Sequence, residues 1–190
     1  MKLTDILNEV ILHRMKPNVI YPKLFVCLNE LFDFDNLQDV PFVRMGSNAY
    51  NFQIEINESD VEFYVDIVPA NDSIKLIPAV DHATKIYNVA YAVSDDMVVD
   101  RYAITDQKVM LLVMKTVTEI VEDFINRNDP DILTFFAESS DGTERGEQSK
   151  LTIYKAVMDK NKPAGYVVSN ATGNSGKKGF MLYNSKLMRK

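Results

Sequence analysis

The sequence predicts a single α+β domain: a central, twisted, mixed or antiparallel sheet with helices on both faces. Three observations lead there. A long segment, 105–126, carries Val109, Leu112, Val113, Thr116, Val117, Ile120, Val121 and Phe124 at the three-and-four spacing of one helix face. Segments 49–56 and 61–68 alternate apolar and polar residues, the period of a half-buried strand. Short apolar runs at 132–137, 165–168 and 179–183, bounded by turn-forming residues, supply further strands. With 190 residues, 46% of them hydrophobic, the chain is long enough to bury one sizeable core.

Taken in order, residues 1–14 form an amphipathic helix started by Thr4 or Asp5, with Leu3, Ile6, Leu7, Val10 and Ile11 on one side. Pro17 and Pro22 interrupt the chain, and a second helix spans 23–32. Asp33 to Pro41 is an acidic connection. Two strands, 49–56 and 61–68, join through the turn residues Asn57-Glu58-Ser59-Asp60 as a hairpin. Residues 69–84 are irregular, and 86–93 is the next strand. A polar loop, 94–101, leads into the long helix, which Thr105 or Asp106 can cap. Pro130 ends that helix, because a residue before proline disfavours helical backbone. The strand at 132–137 follows, then a charged loop over 138–148 containing Gly142 and Gly146. A helix starts near Ser149 with Leu151, Tyr154, Val157 and Met158 facing inward. Two last strands flank a loop at 170–176. The domain thus divides into N-terminal helices (1–40), antiparallel strands (41–104) and a helix-strand-helix-strand-strand half (105–190).

Composition narrows the function. A formal charge of -6 argues against non-specific nucleic-acid binding, which needs lysine and arginine facing phosphate. The one basic stretch, Lys177 to Lys190 with Lys178, Lys186 and Arg189, reads as a solvated chain end. Cys27 is the single cysteine and reads as a core residue. His13 and His82 stand far apart, so no metal site or cysteine-histidine pair is expected. No run of about 18 apolar residues exists to span a bilayer. A reducing cytoplasm is the expected compartment.

The order ααβββαβαββ, with Ile132 to Ala137, Leu151-Thr152-Ile153-Tyr154-Lys155 and Gly165-Tyr166-Val167, resembles the GNAT superfamily of N-acetyltransferases over roughly residues 86–183. Thr116-Val117, Phe135 to Ala137 and Ser149 to Tyr154 are also similar to small tailed-phage proteins. The GNAT resemblance implies acetyl-CoA as cofactor, held by backbone N–H groups at the turn into the long helix. It implies cofactor-contacting residues Arg101, Thr105, Asp106, Gln107 and Lys108, and a proton donor for the leaving thiolate at Tyr154. Glu138, Asp95 and Asp96 are candidate bases near strand ends. Ile104 and Asp106 stand where that family has small residues. A β-branched side chain and a carboxylate at a helix N-terminus both oppose a diphosphate.

Tyr154 is otherwise a core tyrosine on a buried helix face. Two function classes follow. The first is a GNAT-like protein of phage type that binds a host or virion protein, or itself, without coenzyme A chemistry, in the host cytoplasm or the virion. The second is an acyl-CoA-dependent N-acyltransferase acting on a small amine or a protein lysine.

Overall fold

The computed structural model describes residues 37–56, 58–70, 74–75, 82–93, 107–136, 144–173 and 176–189. The helices expected within 1–32, the loop 94–101 and most of the loop 138–148 lie outside these residues. Ten elements of strand and helix are described: β1 (Phe42–Arg44), β2 (Ala49–Ile56), β3 (Ser59–Pro69), β4 (Ile74–Lys75), β5 (Ile86–Val93), α1 (Gln107–Asn128), β6 (Ile132–Phe135), α2 (Glu144–Asn161), β7 (Tyr166–Gly173) and β8 (Lys178–Asn184). A 3₁₀ turn, Ser185–Arg189, follows.

The strands form one eight-stranded sheet in the order β1-β2-β3-β5-β6-β8-β7-β4. All neighbours are antiparallel except β5 and β6. The alternation read from sequence decides the register. Tyr50, Phe52, Ile54 and Ile56 point to one face of β2, and Val61, Phe63, Val65 and Ile67 to the same face of β3. A one-residue slip would expose all eight, so the hairpin is strongly specified. Ile56 pairs with Ser59, and Glu58 takes a left-handed φ of 65°, so the turn is tighter than the four residues expected.

Both described helices pack on that same face. α1 and α2 each connect strands that run parallel (β5 to β6, β6 to β7) and progress across the sheet in one direction. Crossovers of one hand therefore place both on one side. Their apolar residues join the β2–β3 residues, Val89, Leu133, Phe180 and Leu182 in the main core. Among the described residues no helix covers the opposite face, where helices were also expected. A smaller core on that opposite face gathers Ile86, Ile132, Met181 and Tyr183 with Leu187 of the 3₁₀ turn.

Several expectations are corrected. α1 runs two residues beyond Asn126, because Pro130 constrains only Asp129. Asp129 closes the helix at φ 43° while its N–H still reaches Ile125 O at 2.9 Å. α2 begins at Glu144, inside the stretch read as a loop. Gly146 costs a helix only about 1 kcal/mol, which burial of Leu151, Val157 and Met158 outweighs. Asn170 to Gly173 belong to β7 rather than to a loop. They pair with 178–180 of β8, and Ala171 is buried. Ile74 and Lys75, within a segment read as irregular, pair with the end of β7.

The described part of the C-terminal stretch is tied into the fold: β8 lies between β6 and β7, with Lys177 and Lys178 at one end of the strand and Lys186 just past the other. Gly179 is required there, because a Cβ would collide with the Phe135 carbonyl and the Phe136 ring.

Among the described residues, buried side-chain polar groups are satisfied. Thr116 and Thr118 donate to Leu112 O and Met114 O at 2.8 Å, and Thr134 donates to Tyr87 O at 3.1 Å. Lys115, only 8% exposed, donates to Leu37 O at 2.9 Å and pairs with Asp39. That holds Leu37 against Leu111, Met114 and Val157 between the two helices.

Candidate functional site

The end of the parallel pair β5–β6 is where the expected site residue Tyr154 meets the sheet. Among the described residues the β5–β6 pairing runs from Ile86–Ile132 to Val89–Phe135, and β5 continues to Val93 paired with β3. Tyr87, Val89, Tyr91 and Val93 alternate onto the face that carries the helices. Tyr91 therefore stands just past the last paired residue of β5, facing α2.

Tyr154 meets it. On α2, Leu151, Tyr154 and Met158 share one stripe, with Leu151 and Met158 in the main core. Tyr154 packs against both the main core and the Leu111–Met114–Val157 cluster, so its ring is wedged between α1, α2 and the sheet. The two hydroxyls hydrogen-bond each other across 63 residues of sequence. Their rings meet edge to face with centroids 5.9 Å apart at 62°.

The electrostatics follow from this contact. Burial is the largest cause raising both phenols, Tyr91 well above the usual tyrosine value. Tyr91 is 36% exposed as a residue, so the desolvation concerns its hydroxyl end rather than the whole ring. Ionising one phenol leaves the other as donor to it, and removing the second proton is then opposed by the first charge. Both groups are neutral at physiological pH, and each is a weak acid. As a pair they can latch α2 to β5. As a proton donor to a thiolate, whose conjugate thiol has a pKa of about 8.5, Tyr154 would work uphill.

Of the other residues expected at a site, Arg101, Thr105, Asp106 and Glu138 lie outside the described residues, as do Asp95 and Asp96. Gln107 and Lys108 are the first two residues of α1. Tyr154 is thus the one expected site residue whose surroundings are described, and its partner Tyr91 was not anticipated. The nearly uniform apolar run 86–93 gave no sign of which of its faces is buried, so only the register Val65↔Tyr91 puts Tyr91 on the core face.

A second polar constellation sits near the other end of α1. Asp123 accepts from Arg44 at 2.9 Å, from the Tyr50 hydroxyl at 2.9 Å and from Arg127 Nε at 3.1 Å. Arg127 also donates to the Tyr50 hydroxyl and, at 3.3 Å, to Ser47 O, and its guanidinium lies over the Tyr50 and Phe124 rings. Burial alone would raise Asp123, but these donors and cations prevail and hold its carboxyl below the usual range. Tyr50 is pushed up to about 12, first by burial and then by Asp123. Every member is engaged by another, so the cluster is a clasp between β1–β2 and α1. Asp131 does similar work between β5 and β6, accepting from the backbone N–H groups of Thr84 and Lys85 at 2.8 and 2.9 Å. Among the described residues no group of three or more histidine, cysteine, aspartate or glutamate side chains is arranged to hold a metal.

No protein-family model, curated protein or solved structure matches this chain significantly.

Raised phenols make the site measurable. Tyr50, Tyr91, Tyr154 and Tyr166 all carry upward shifts caused chiefly by burial. At about pH 10, the ordinary tyrosine midpoint, the folded chain should absorb less as phenolate than the same chain unfolded in denaturant. Tyr91→Phe should remove part of that deficit. Coincident titration curves for folded and unfolded protein would contradict the burial of these hydroxyls.

Proposed function

We propose that this chain is a GNAT-like protein of phage type that works by binding another protein and carries out no coenzyme A chemistry. One observation carries the binding half. The sheet face opposite α1 and α2 exposes Val43, Met45, Tyr64 and Val68, from 37% to 61% accessible, among the carboxylates of Glu55, Glu62 and Asp66. Val43 pairs with Asn51 and Asn51 with Tyr64, so two of these apolar residues lie in one row across three strands. Exposed methionine, tyrosine and valine on a rigid sheet are characteristic of protein-binding surfaces rather than of an ordinary solvated face. Among the described residues no helix is long and apolar enough to cross a membrane. Host cytoplasm or virion is the setting this reading implies.

The GNAT-like half is supported by the strand order: an antiparallel β1-β2-β3-β5 block meets β6 in a parallel pair, with α1 and α2 as the crossovers. The absence of coenzyme A chemistry is supported by the latch, because the Tyr154 hydroxyl is already engaged by Tyr91. It is supported equally by Ile104 and Asp106 in the turn that would receive a diphosphate.

A second reading, an N-acyltransferase using acetyl-CoA, is favoured by a different observation. The described pairing of β5 with β6 ends at Val89 and Phe135, and Tyr154 meets β5 two residues further on, at Tyr91, where the resemblance would place a pantetheine chain.

Thermal denaturation with millimolar acetyl-CoA separates the two. The binding reading expects no shift in Tm. An enzyme holding the cofactor at about a hundred times its Kd would gain about 2.7 kcal/mol, and for a chain of this size that is a rise of roughly 5–10 °C. Such a rise would overturn the proposal. For the binding half, immobilised protein should retain a stoichiometric partner from host lysate that the Tyr64→Asp/Val68→Asp variant does not.

A further inference from the structure

We infer that the sheet face opposite α1 and α2 takes a basic, apolar-flanked segment of a partner protein, with one lysine or arginine of that segment seated on Asp66. This rests on the binding reading above and states the chemistry of the partner. β1, β2, β3 and β5 contain a single lysine or arginine, Arg44. It points to the helix side, where the Asp123 carboxylate takes it at 2.9 Å. The opposite face of these strands therefore carries carboxylates and no lysine or arginine of its own.

Asp66 differs from the other carboxylates on that face. Glu62 has both oxygens engaged, by the Asn51 amide and the Tyr64 hydroxyl, each at 2.7 Å. Glu55 stands opposite Asp60 at the hairpin end. Asp66 lies in the interior of the face, directly between Ala49 of β2 and Ala90 of β5, with Tyr64 and Val68 before and after it on the same side of β3. Across a sheet an acid gains from an opposite charge facing it, and here both facing side chains are single methyl groups. Among the described residues none forms a hydrogen bond or ion pair with the Asp66 carboxylate.

The surroundings set what can supply the missing charge. Tyr64 and Val68 are exposed, and so are Ala90 and Ala92 on β5. Met45, whose N–H donates to Ala49 O at 2.8 Å, is exposed on the β1 side. A cation with an aliphatic stem suits such a place, because lysine and arginine lay their methylenes on apolar surface while the head group reaches an anion. The alanines leave room for that stem beside the carboxylate. Apolar residues next to the cation in the partner would then cover Met45, Tyr64 and Val68 and exclude water from the ion pair, which strengthens it. These anchors stand on paired strands, so little ordering remains to be done on contact.

Panning a random-peptide library on the immobilised chain tests this. Enriched peptides should carry lysine or arginine next to apolar residues. In fluorescence anisotropy, Asp66→Asn should weaken the tightest of them about tenfold or more. Glu55→Gln, which removes a carboxylate at the hairpin end, should change affinity by less than about threefold. Both variants should keep the wild-type Tm, which shows that they are folded. Enriched peptides without a cation, a library that yields no binder, or binding that Asp66→Asn leaves intact overturns the inference. An equal loss in Glu55→Gln overturns it too, because attraction would then come from net charge rather than from Asp66. If a lysate partner is still retained through Tyr64 and Val68 while Asp66→Asn has no effect, only this inference falls. If neither a peptide nor a lysate partner is retained, the binding reading falls with it.

Discussion

Phe124→Ala should destabilise the protein by about 3–5 kcal/mol, the usual cost of deleting a fully buried phenylalanine. Phe124 is wholly inaccessible and stands on the sheet-facing stripe of α1. Its ring meets Tyr87 of β5 edge to face at 5.0 Å, and the Arg127 guanidinium lies 5.9 Å from its centroid. The substitution therefore removes the packing of α1 on the sheet together with an aromatic contact and part of the support for the clasp. Neighbours such as Ile120 and Val121 are fully buried and held by the helix, so the hole cannot close cheaply. A whole domain is stabilised by only about 5–15 kcal/mol, so a large share of the total is at stake. Urea unfolding should show a much lower midpoint at unchanged slope. A loss below about 1 kcal/mol would mean that α1 does not anchor the core as described.

Asp123→Asn should cost about 1–3 kcal/mol at neutral pH and should flatten the acid limb of the stability curve. The lower part of that range reflects the partial exposure of Asp123 and the 45% exposure of Arg44. The larger part comes from the lost charge and from the lost second oxygen, since asparagine keeps a single carbonyl acceptor for Arg44, Arg127 and the Tyr50 hydroxyl.

The folded-state pKa of Asp123 lies below its unfolded value, so the ionised form is bound more tightly in the folded protein. Its contribution is complete above the unfolded carboxylate value near 4 and disappears as pH falls through the lowered folded value. Asp131 contributes with the same sign. Glu119, raised chiefly by burial, works the other way, and its protonation relieves the folded state as pH falls. Tyr50 governs the alkaline side: its raised pKa supplies stability that is complete below 10 and lost as pH rises through about 12. Denaturant midpoints measured against pH should therefore fall off at both ends, with the acid loss smaller in Asp123→Asn. An unchanged acid limb in that variant would remove Asp123 from the account.

Two hydroxyls 63 residues apart illustrate what was hard to read. The periodicity of α2 placed Tyr154 on an inward face, and 86–93 read as a strand with no buried side assigned. Neither pattern says that the two residues meet, because that depends on where α2 crosses the sheet. The clasp was partly legible. Asp123 and Arg127 are an acid-before-base pair one helical turn apart, but Arg44 and Tyr50 join it only through the packing of β1–β2 under α1. The misread segments share one cause. Residues 144–148 and 170–173 are polar or glycine-containing, so local preference favours loops, and tertiary pairing overrode that preference.

By itself, the sequence determined the α+β class, the long helix, the three strands 49–56, 61–68 and 86–93 nearly to the residue, and the buried side of the helix and of the first two strands. It could do so because helical and strand periods are local properties of side-chain direction. Only the tertiary structure decided that both described helices share one face, that Lys178 and Lys186 fall at opposite ends of an interior strand, and that Tyr91 and Tyr154 meet. These depend on the order of strands in the sheet and on contacts between residues far apart in the chain, about which a local period carries no information.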